Sequence, residues 1–495
     1  MSTAKKFAGQ TAIYGLSTIV QRLLGSVLTP LYTSAYKPGI YGIFTTMFSY
    51  ASIFNAILSF GMETTFFRYM NKIPEKKKLV YNNSFWAVAM LTAIFFLCTF
   101  PFVHQIAGWI KIGDNTPLAE YERYIRYFIG ILVLDNLCVL PFARLRADSR
   151  PMLYSLVKVV NIIVMVSLNL VFIYGIPFWI KHQFIGAGWL SSWFEAGWIG
   201  YVFLSNLVAS AITFLMLIPQ LRWVELKFNS DIFKNMLVYS WPVLIANLSY
   251  IINENLDKLL LGKLLPDNVS EYQVGIYSAC AKLSIFLSIF IQAFRLGAEP
   301  FFFSHAKNKN AGQTYSRIMD YFVITICIMF VGIIANIQIL KYYVHDHRYW
   351  VGLDVVPPLL FGYVSLGVYM NLSVWYKLSD QTKYGLYISG IGAIITIVFN
   401  VLFIPKYNYM ASAWVSFAAY TAMMIMSYIW GQKNYPIPYN LKKNLVYIII
   451  SVVFVYLSFY VFKRNIFAGN LLFIIFIAGA YLKEGKELKA ILSRR

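Results

Sequence analysis

Charge is thin in this sequence, and acidic charge thinnest: 21 Asp and Glu stand against 42 Lys and Arg, and charged residues make up 13% of the 495. With 59% of residues hydrophobic, a soluble chain of this length would not cover its own apolar surface. The mean hydropathy of +0.61 places it among polytopic membrane proteins. Cysteine is equally scarce. Cys98, Cys138, Cys280 and Cys327 fall inside apolar runs, without the paired spacing of a zinc site or a disulfide framework, and read as small apolar fillers. The five histidines, His104, His182, His305, His345 and His347, lie in or beside connections. His345-Asp346-His347 has ligand-like spacing but reads as a solvated loop, so no metal is expected. No Walker loop is present, so no nucleotide or other cofactor is expected and energy has to come from an ion gradient or from consumption of the product. No connection is long enough to fold as an attached enzyme or as a basic nucleic-acid-binding domain, and neither activity is expected.

What the chain has instead is long apolar runs. A helix needs about 20 apolar residues to cross a hydrocarbon core of about 30 Å. Fourteen runs qualify, beginning with 10–34, 39–67 and 80–103 and ending with 410–430, 444–462 and 465–482. They are apolar throughout, not alternating, which excludes an outer-membrane barrel. Lys5 and Lys6 precede a run too long for a cleavable signal, so the first helix is expected to stay. The basic residues concentrate on alternate connections, as in Arg68 to Lys78, Arg144 to Arg150 and the tail from Lys483. That bias places both termini in the cytoplasm. Trp179, Trp189, Trp193 and Trp198 crowd one outer connection, where they read as interface anchors.

The chain also says nearly the same thing twice. Gly39-Ile40-Tyr41 followed by Gly61, Glu63, Phe66 and Phe67 matches Gly275-Ile276-Tyr277 followed by Gly297, Glu299, Phe302 and Phe303, seven identities in register without a gap. Each copy reads as a turn, a membrane-crossing helix and a Glu-Phe-Phe signature. The expected fold is therefore an all-α integral membrane protein of about fourteen helices: a six-helix lobe at 1–222, a second at 223–435, and two additional helices with a cytoplasmic tail at 436–495. Six helices per lobe make the copies parallel, related by an axis along the membrane normal, and duplicated lobes of this kind indicate a transporter with a cavity that opens to either face by rocking.

Ionisable residues inside the spans are the candidates for that cavity's lining, because a charge facing lipid is costly. Arg22 is near the middle of the first span, Lys258 with Asp257 near the outer end of the seventh, and Lys282 in the outer part of the eighth. Arg295, Glu299 and Glu63 lie near cytoplasmic ends. Glu254 with Lys258, and Arg295 with Glu299, stand four apart and can neutralise each other on one helix face. Arg126 reads as a boundary residue that snorkels, and Lys158 as either structural or cavity-facing. Arg22, Lys258, Lys282 and Arg295 favour an anionic cargo, since Arg and Lys bind phosphate strongly where water is scarce. Glu63, Asp135, Asp257 and Glu299 are candidates for ion coupling or gating, and the duplicated Glu-Phe-Phe equally suits a structural helix end.

The run Gly9 to Lys72, the stretch Asp257-Lys258-Leu259-Leu260-Leu261-Gly262 leading to Gly275-Ile276-Tyr277-Ser278, and the fourteen-span plan resemble the oligosaccharide flippases of bacterial polysaccharide and lipopolysaccharide (O-antigen) biosynthesis. That family shares a superfamily with multidrug and toxic compound extruders and lipid II flippases. The resemblance implies export of an undecaprenyl-diphosphate-linked oligosaccharide across the bacterial inner membrane, with H+ or Na+ as possible coupling ions and the glycan polymerase machinery and membrane lipid as possible partners. It sets Arg22 on the first-helix arginine of the lipid II flippases and Lys282 near their eighth-helix basic position, both facing the diphosphate. Lys282 is not Arg, and the second helix has only Arg68, at its inner end. The helices after 436 resemble the pair that forms a prenyl-tail groove in lipid II flippases. An ion-coupled small-molecule exporter on the same fold is the alternative. A membrane-embedded glycan polymerase or acyltransferase would need a reactive carboxylate or His on a large outer loop, which the chain lacks.

Overall fold

The computed structural model describes residues 26–222, 224–306, 308, 310–379 and 381–492, and at 296, 299, 300, 304 and 486–492 the backbone alone. Arg22 lies outside the described residues, and so does the side chain of Glu299. Among the described residues the chain is helical with no strand, and 12 helices are long and apolar enough to cross a membrane. It divides into two compact units, Met1–Gly275 and Ile276–Arg495.

In unit 1 the main helices are α1 (26–35), α2 (Pro38–Ser59), α3 (Met62–Lys72), α4 (Lys77–Thr99), α5 (Val103–Ile110), α6 (Leu118–Ala147), α7 (Pro151–Leu170), α8 (Gly200–Leu221), α9 (Ser230–Leu264) and the start of α10 (Asp267–Ala281), with two short helices, Ile176–Lys181 and Ala187–Trp193, between α7 and α8. Proline opens α2 and α7, where its missing N–H costs nothing and its fixed φ suits the first turn. Asn229 caps α9 by accepting the N–H of Ile232. Between α2 and α3 the chain turns through two left-handed residues, Phe60 at φ 47 and Gly61 at φ 65. Helix α8 packs on α6 and α7, α4 on α6, and α9 along α2.

The first Glu-Phe-Phe copy is built into this packing. Phe66 is buried in an apolar cluster with Met62, Tyr69, Tyr81 and Met236. Glu63 ion-pairs with Arg146, whose guanidinium lies 4.7 Å over the Phe67 ring. In the second copy Phe302 is buried against Tyr315, which donates to the Phe302 carbonyl at 2.7 Å, whereas Phe303 is half exposed. The copies differ in backbone as well. Gly61 breaks its helix, while Gly297 lies inside the continuous helix Ile285–His305, and the second copy is distorted earlier, at the single 3-10 turn Lys282–Ser284. The expected turn at Gly275 is also absent: this glycine lies within α10.

Unit 2 holds α11 (Ile285–His305), α12 (Ala311–Ala335), α13 (Val356–Leu372), α14 (Lys383–Asn434), α15 (Leu441–Tyr456) and α16 (Ile466–Leu492). The 52 residues of α14 are not one rod. Asn408 has φ 50, ψ −142, and Ser412 Oγ donates to Asn400 Oδ1 at 2.8 Å. Twelve residues of straight helix would separate those two by about 18 Å, so the chain doubles back at Asn408 into two antiparallel arms. Helices α15 and α16 pack on α12. A buried ionic cluster fastens them: Lys443 Nζ reaches Glu484 Oε2 at 2.6 Å and Asp320 Oδ2 at 3.7 Å, and the Tyr447 hydroxyl donates to Glu484 Oε1 at 3.2 Å.

Candidate functional site

Within unit 1, five helices border a half-open cavity of about 700 Å³. Four of them contribute polar residues at helical spacing, and α6 contributes an adjacent pair. Ser52, Asn55 and Ser59 come from α2, Asp135 and Asn136 from α6, Lys158 and Asn161 from α7, Asn206, Ser210 and Thr213 from α8, and Asn247 and Tyr250 from α9. Positions three, four and seven apart share a helix face, so each stripe turns inward while the rest of its helix stays apolar. Polar groups on all five helices, interspersed with apolar side chains, and this volume suit a water-filled space.

The stripes are cross-tied. Ser210 Oγ donates to Asp135 Oδ1 at 2.7 Å, Asn161 Nδ2 to Thr213 Oγ1 at 2.9 Å, and Asn136 Nδ2 to Asn55 Oδ1 at 2.8 Å. These bonds fix six side chains that would otherwise lose rotamer entropy only on meeting a ligand. Lys158 is placed differently. Its ammonium lies 4.4 Å from the centroid of the Phe142 ring, and among the described residues it has no carboxylate within 4.0 Å and no hydrogen bond. It nevertheless feels the charge of Asp135 across the cavity. The described lining is therefore one base and one acid set among amides and hydroxyls, with apolar side chains such as Phe48, Ile131 and Met165 between them. It can accept a hydroxyl-rich solute and one anionic group, and it holds one carboxylate able to take up a proton.

Asp135 is the residue of the sequence-derived set that this cavity gathers. Lys258 lies elsewhere on α9, its Nζ bonded to Asp257 Oδ1 at 3.1 Å and to the Glu254 carbonyl at 2.9 Å. The i, i+4 spacing thus delivers the ammonium to the backbone oxygen of Glu254, while the adjacent Asp257, 4% exposed, supplies the countercharge. In unit 2, Lys282 opens the 3-10 turn and is half-buried, and Arg295 borders a small hollow with Asn371 and Lys377. Arg126 pairs with Glu122 at 3.3 Å on an exposed face. Trp179, Trp189 and Trp193 are exposed, whereas the Trp198 indole is fixed, donating to Glu120 and lying under the Arg123 guanidinium. Cys138, Cys280 and Cys327 are buried and Cys98 is exposed. Sequence reasoning left Lys158 open between a structural and a cavity-facing role, and passed over Asn161, Asn206 and Ser210 as site residues. Their common helical period inside otherwise apolar runs was the available signal.

A bundle of membrane-crossing helices around an internal polar cavity, with no assembled metal or nucleophilic cluster among the described residues, has the build of a transporter. Sequence comparison gives the family. The polysaccharide biosynthesis protein family matches residues 7–303 and the MatE family matches residues 242–402, and the chain belongs to the former, within the superfamily of MATE exporters and MurJ flippases. Its members are transporters and not enzymes. No curated protein matches the chain. Among solved structures, the lipid II flippase MurJ in an inward closed conformation superposes with a TM-score of 0.71 at 13% identity, covering 95% of this chain and 99% of that one. A multidrug resistance MATE family transporter in an inward-facing conformation gives 0.63 at 14% identity, covering 86% and 94%. A MOP superfamily transporter from Pyrococcus furiosus, described as having a binding pocket of reversed polarity, gives 0.62 at 13%, covering 87% and 95%. At these identities the likeness is one of fold.

Proposed function

We propose that the chain is a flippase that carries an undecaprenyl-diphosphate-linked oligosaccharide from the cytoplasmic to the outer leaflet of the bacterial inner membrane by alternating access. The observation that carries this reading is the cavity of about 700 Å³, bordered by amides and hydroxyls among apolar side chains, with the Lys158 ammonium in its wall. Asn, Ser and Thr side chains each donate and accept, which suits sugar hydroxyls, and a lysine in a low-dielectric setting suits a phosphate or sugar carboxylate. The family match over residues 7–303 supports the same cargo class.

In this reading the chain has fourteen spans. Supporting that number are the 12 helices of crossing length, the reversal at Asn408 inside one of them, and the apolar run before α2. The lobes are 1–222 and 223–435, with 436–495 as the appended pair and both termini in the cytoplasm. The diphosphate engages Arg22, Lys282 and Arg295 together with Lys158, while Lys258 is bound up with Asp257. Asp135 is the favoured ion-coupling carboxylate, ahead of Glu63, Asp257 and Glu299, because it borders the cavity.

The test is the glycan profile of a deletion strain complemented with wild type, Arg22→Ala or Lys158→Met. Loss of surface glycan with build-up of lipid-linked precursor is expected for the deletion and both variants. An intact surface glycan in the deletion strain refutes the reading. The MatE match over residues 242–402 and the cavity carboxylate favour an ion-coupled exporter as the second reading. That reading requires altered tolerance to cationic drugs with unchanged glycan.

A further inference from the structure

The glycines that lead the two sequence repeats meet around a single carboxylate, Glu271, which is 2% exposed. Gly113 and Gly39 face its side chain, and the backbones of α2 and α10 touch beside it. A Cβ on Gly42 of α2 would stand 2.1 Å from the Glu271 carbonyl oxygen, and one on Gly275 of α10 would stand 1.8 Å from the carbonyl oxygen of Pro38. A Cβ on Gly113, at φ +65, would stand 2.9 Å from Glu271 Cγ. Only glycine permits these approaches.

Inside this enclosure the carboxyl is poorly matched. Asn115 Nδ2 donates to Oε2 at 3.2 Å and Thr116 lies beside it, but Oε1 is buried without a partner. No ammonium or guanidinium lies within 4.0 Å among the described residues. The titratable groups that face Glu271 are Lys111 and Asp114 from the 111–117 connection and Tyr121 from α6. Lys111 pairs with Asp114 at 3.5 Å, and the Lys263 ammonium is turned to the carbonyl oxygens of Trp109 and Lys111. Helix α2 presents glycine backbone and the partial positive charge of its first turn, which offsets little of a full charge. A carboxylate offers about four acceptor sites. Burying it ionised with most of them empty is costly, and binding one monovalent cation removes that cost.

We propose that Glu271 is a cation-binding site that holds α2 and α10 in close contact while it carries a proton, taken from the water at the end of unit 1 where the 111–117 connection lies. The proton resides on the carboxyl and leaves as hydronium. Once it is lost, an uncompensated charge remains in the contact and the two helices separate. Na+ is the other monovalent cation that could satisfy the same oxygens. The inference goes beyond the transport reading and assumes nothing about the cargo.

The test is hydrogen–deuterium exchange on full-length protein in lipid nanodiscs, following peptides over 38–45 and 267–275 across pH and correcting for the intrinsic exchange rate. In wild type, protection of both peptides falls together as pH rises. Glu271→Gln, which imitates the protonated carboxyl, stays protected throughout. Asn115→Ala removes a donor that favours the ionised form and shifts the wild-type midpoint upward. At a pH where wild type is exposed, protection restored by NaCl but not by choline chloride identifies Na+ as an occupant, and no difference between the salts identifies the proton alone. Protection in wild type that is independent of pH and of both salts, or a pH dependence that persists unchanged in Glu271→Gln, overturns the proposal.

Discussion

Replacing Lys158 with Met keeps an unbranched side chain of similar length and removes the charge. The ammonium has no carboxylate within 4.0 Å among the described residues and rests 4.4 Å from the Phe142 ring, so its contribution to the fold is a cation–π contact of about 0.5–1 kcal/mol. The Met thioether recovers part of that against the same ring. Against the cargo the loss is larger. A hydrogen bond from a charged donor to a phosphate or carboxylate oxygen contributes about 1.5–3 kcal/mol, roughly a tenfold to hundredfold change in affinity. Lys158→Met is therefore expected to cut export at least tenfold at limiting substrate while unfolding in detergent changes by less than about 1 kcal/mol. Surface glycan and accumulated lipid-linked precursor report the first quantity, and a thermal melt the second. If Lys158 serves instead as the countercharge of Asp135, its removal strands a buried carboxylate at a cost of about 3–5 kcal/mol. Asp135→Asn in the same chain then restores stability. Full export by Lys158→Met, or a large loss of stability repaired by Asp135→Asn, refutes a cargo role.

The repeat glycines give a paired test. Gly42→Ala and Gly275→Ala drive a methyl into backbone oxygens at 2.1 and 1.8 Å and are expected to destabilise strongly, whereas Gly297→Ala meets no atom within 4 Å and should be neutral or stabilising by about 1 kcal/mol, as read by melting temperature. Lys443→Met leaves Asp320 and Glu484 buried without their cation and is expected to cost about 3–5 kcal/mol, with most of it recovered when Asp320→Asn and Glu484→Gln are added. Glu63→Gln breaks a half-exposed pair with Arg146 and should cost no more than about 1 kcal/mol, leaving export unchanged. At the start of the 3-10 segment His347–Val355, the Arg348 guanidinium beside Asp346 holds its carboxyl below the usual carboxylate range near ~4. Such a group stabilises the fold above its ordinary pKa, and that contribution disappears as pH falls through the depressed value. Asp346→Asn should therefore flatten the acid limb of the melting curve below about pH 4.

Membrane class and helical architecture were legible in the sequence because the hydrocarbon core imposes one length and one polarity on every span, and composition reports both. The reversal inside α14 follows from the same length rule: 384–404 and 410–430 are each one crossing long, and Asn408 stands in the polar-tolerant gap between them. The repeat was legible as identity but not as geometry. Gly39 and Gly275 look alike in sequence as turn formers, yet both lie in helices: Gly275 serves a backbone contact with Pro38 and Gly42, and Gly39 faces the Glu271 side chain. A contact between segments so far apart in sequence leaves no local trace. Equally, nothing local distinguishes Gly61, which adopts φ 65, from Gly297, which stays helical.

The site was harder to read for a physical reason. Searching spans for full charges assumes that a cavity advertises itself by ionised groups, and it selects Lys258 and Asp257, which satisfy each other at 3.1 Å. A water-filled space between helices needs only side chains that exchange hydrogen bonds with solvent as readily as with one another. In unit 1 that role falls mainly to Asn55, Asn161, Asn206, Ser210 and Thr213, none of which raises the charge count of its span. Their register carries the information. Residues three and four apart that are polar in an apolar run mark the face that avoids lipid, because any other orientation would leave several unpaired amides in hydrocarbon at once. Within such a stripe a lone lysine takes on a different meaning. On α7, Asn161 is one turn from Lys158 and faces the same cavity, so the ambiguity of Lys158 as an isolated charge is resolved by its neighbour and not by its own depth in the span.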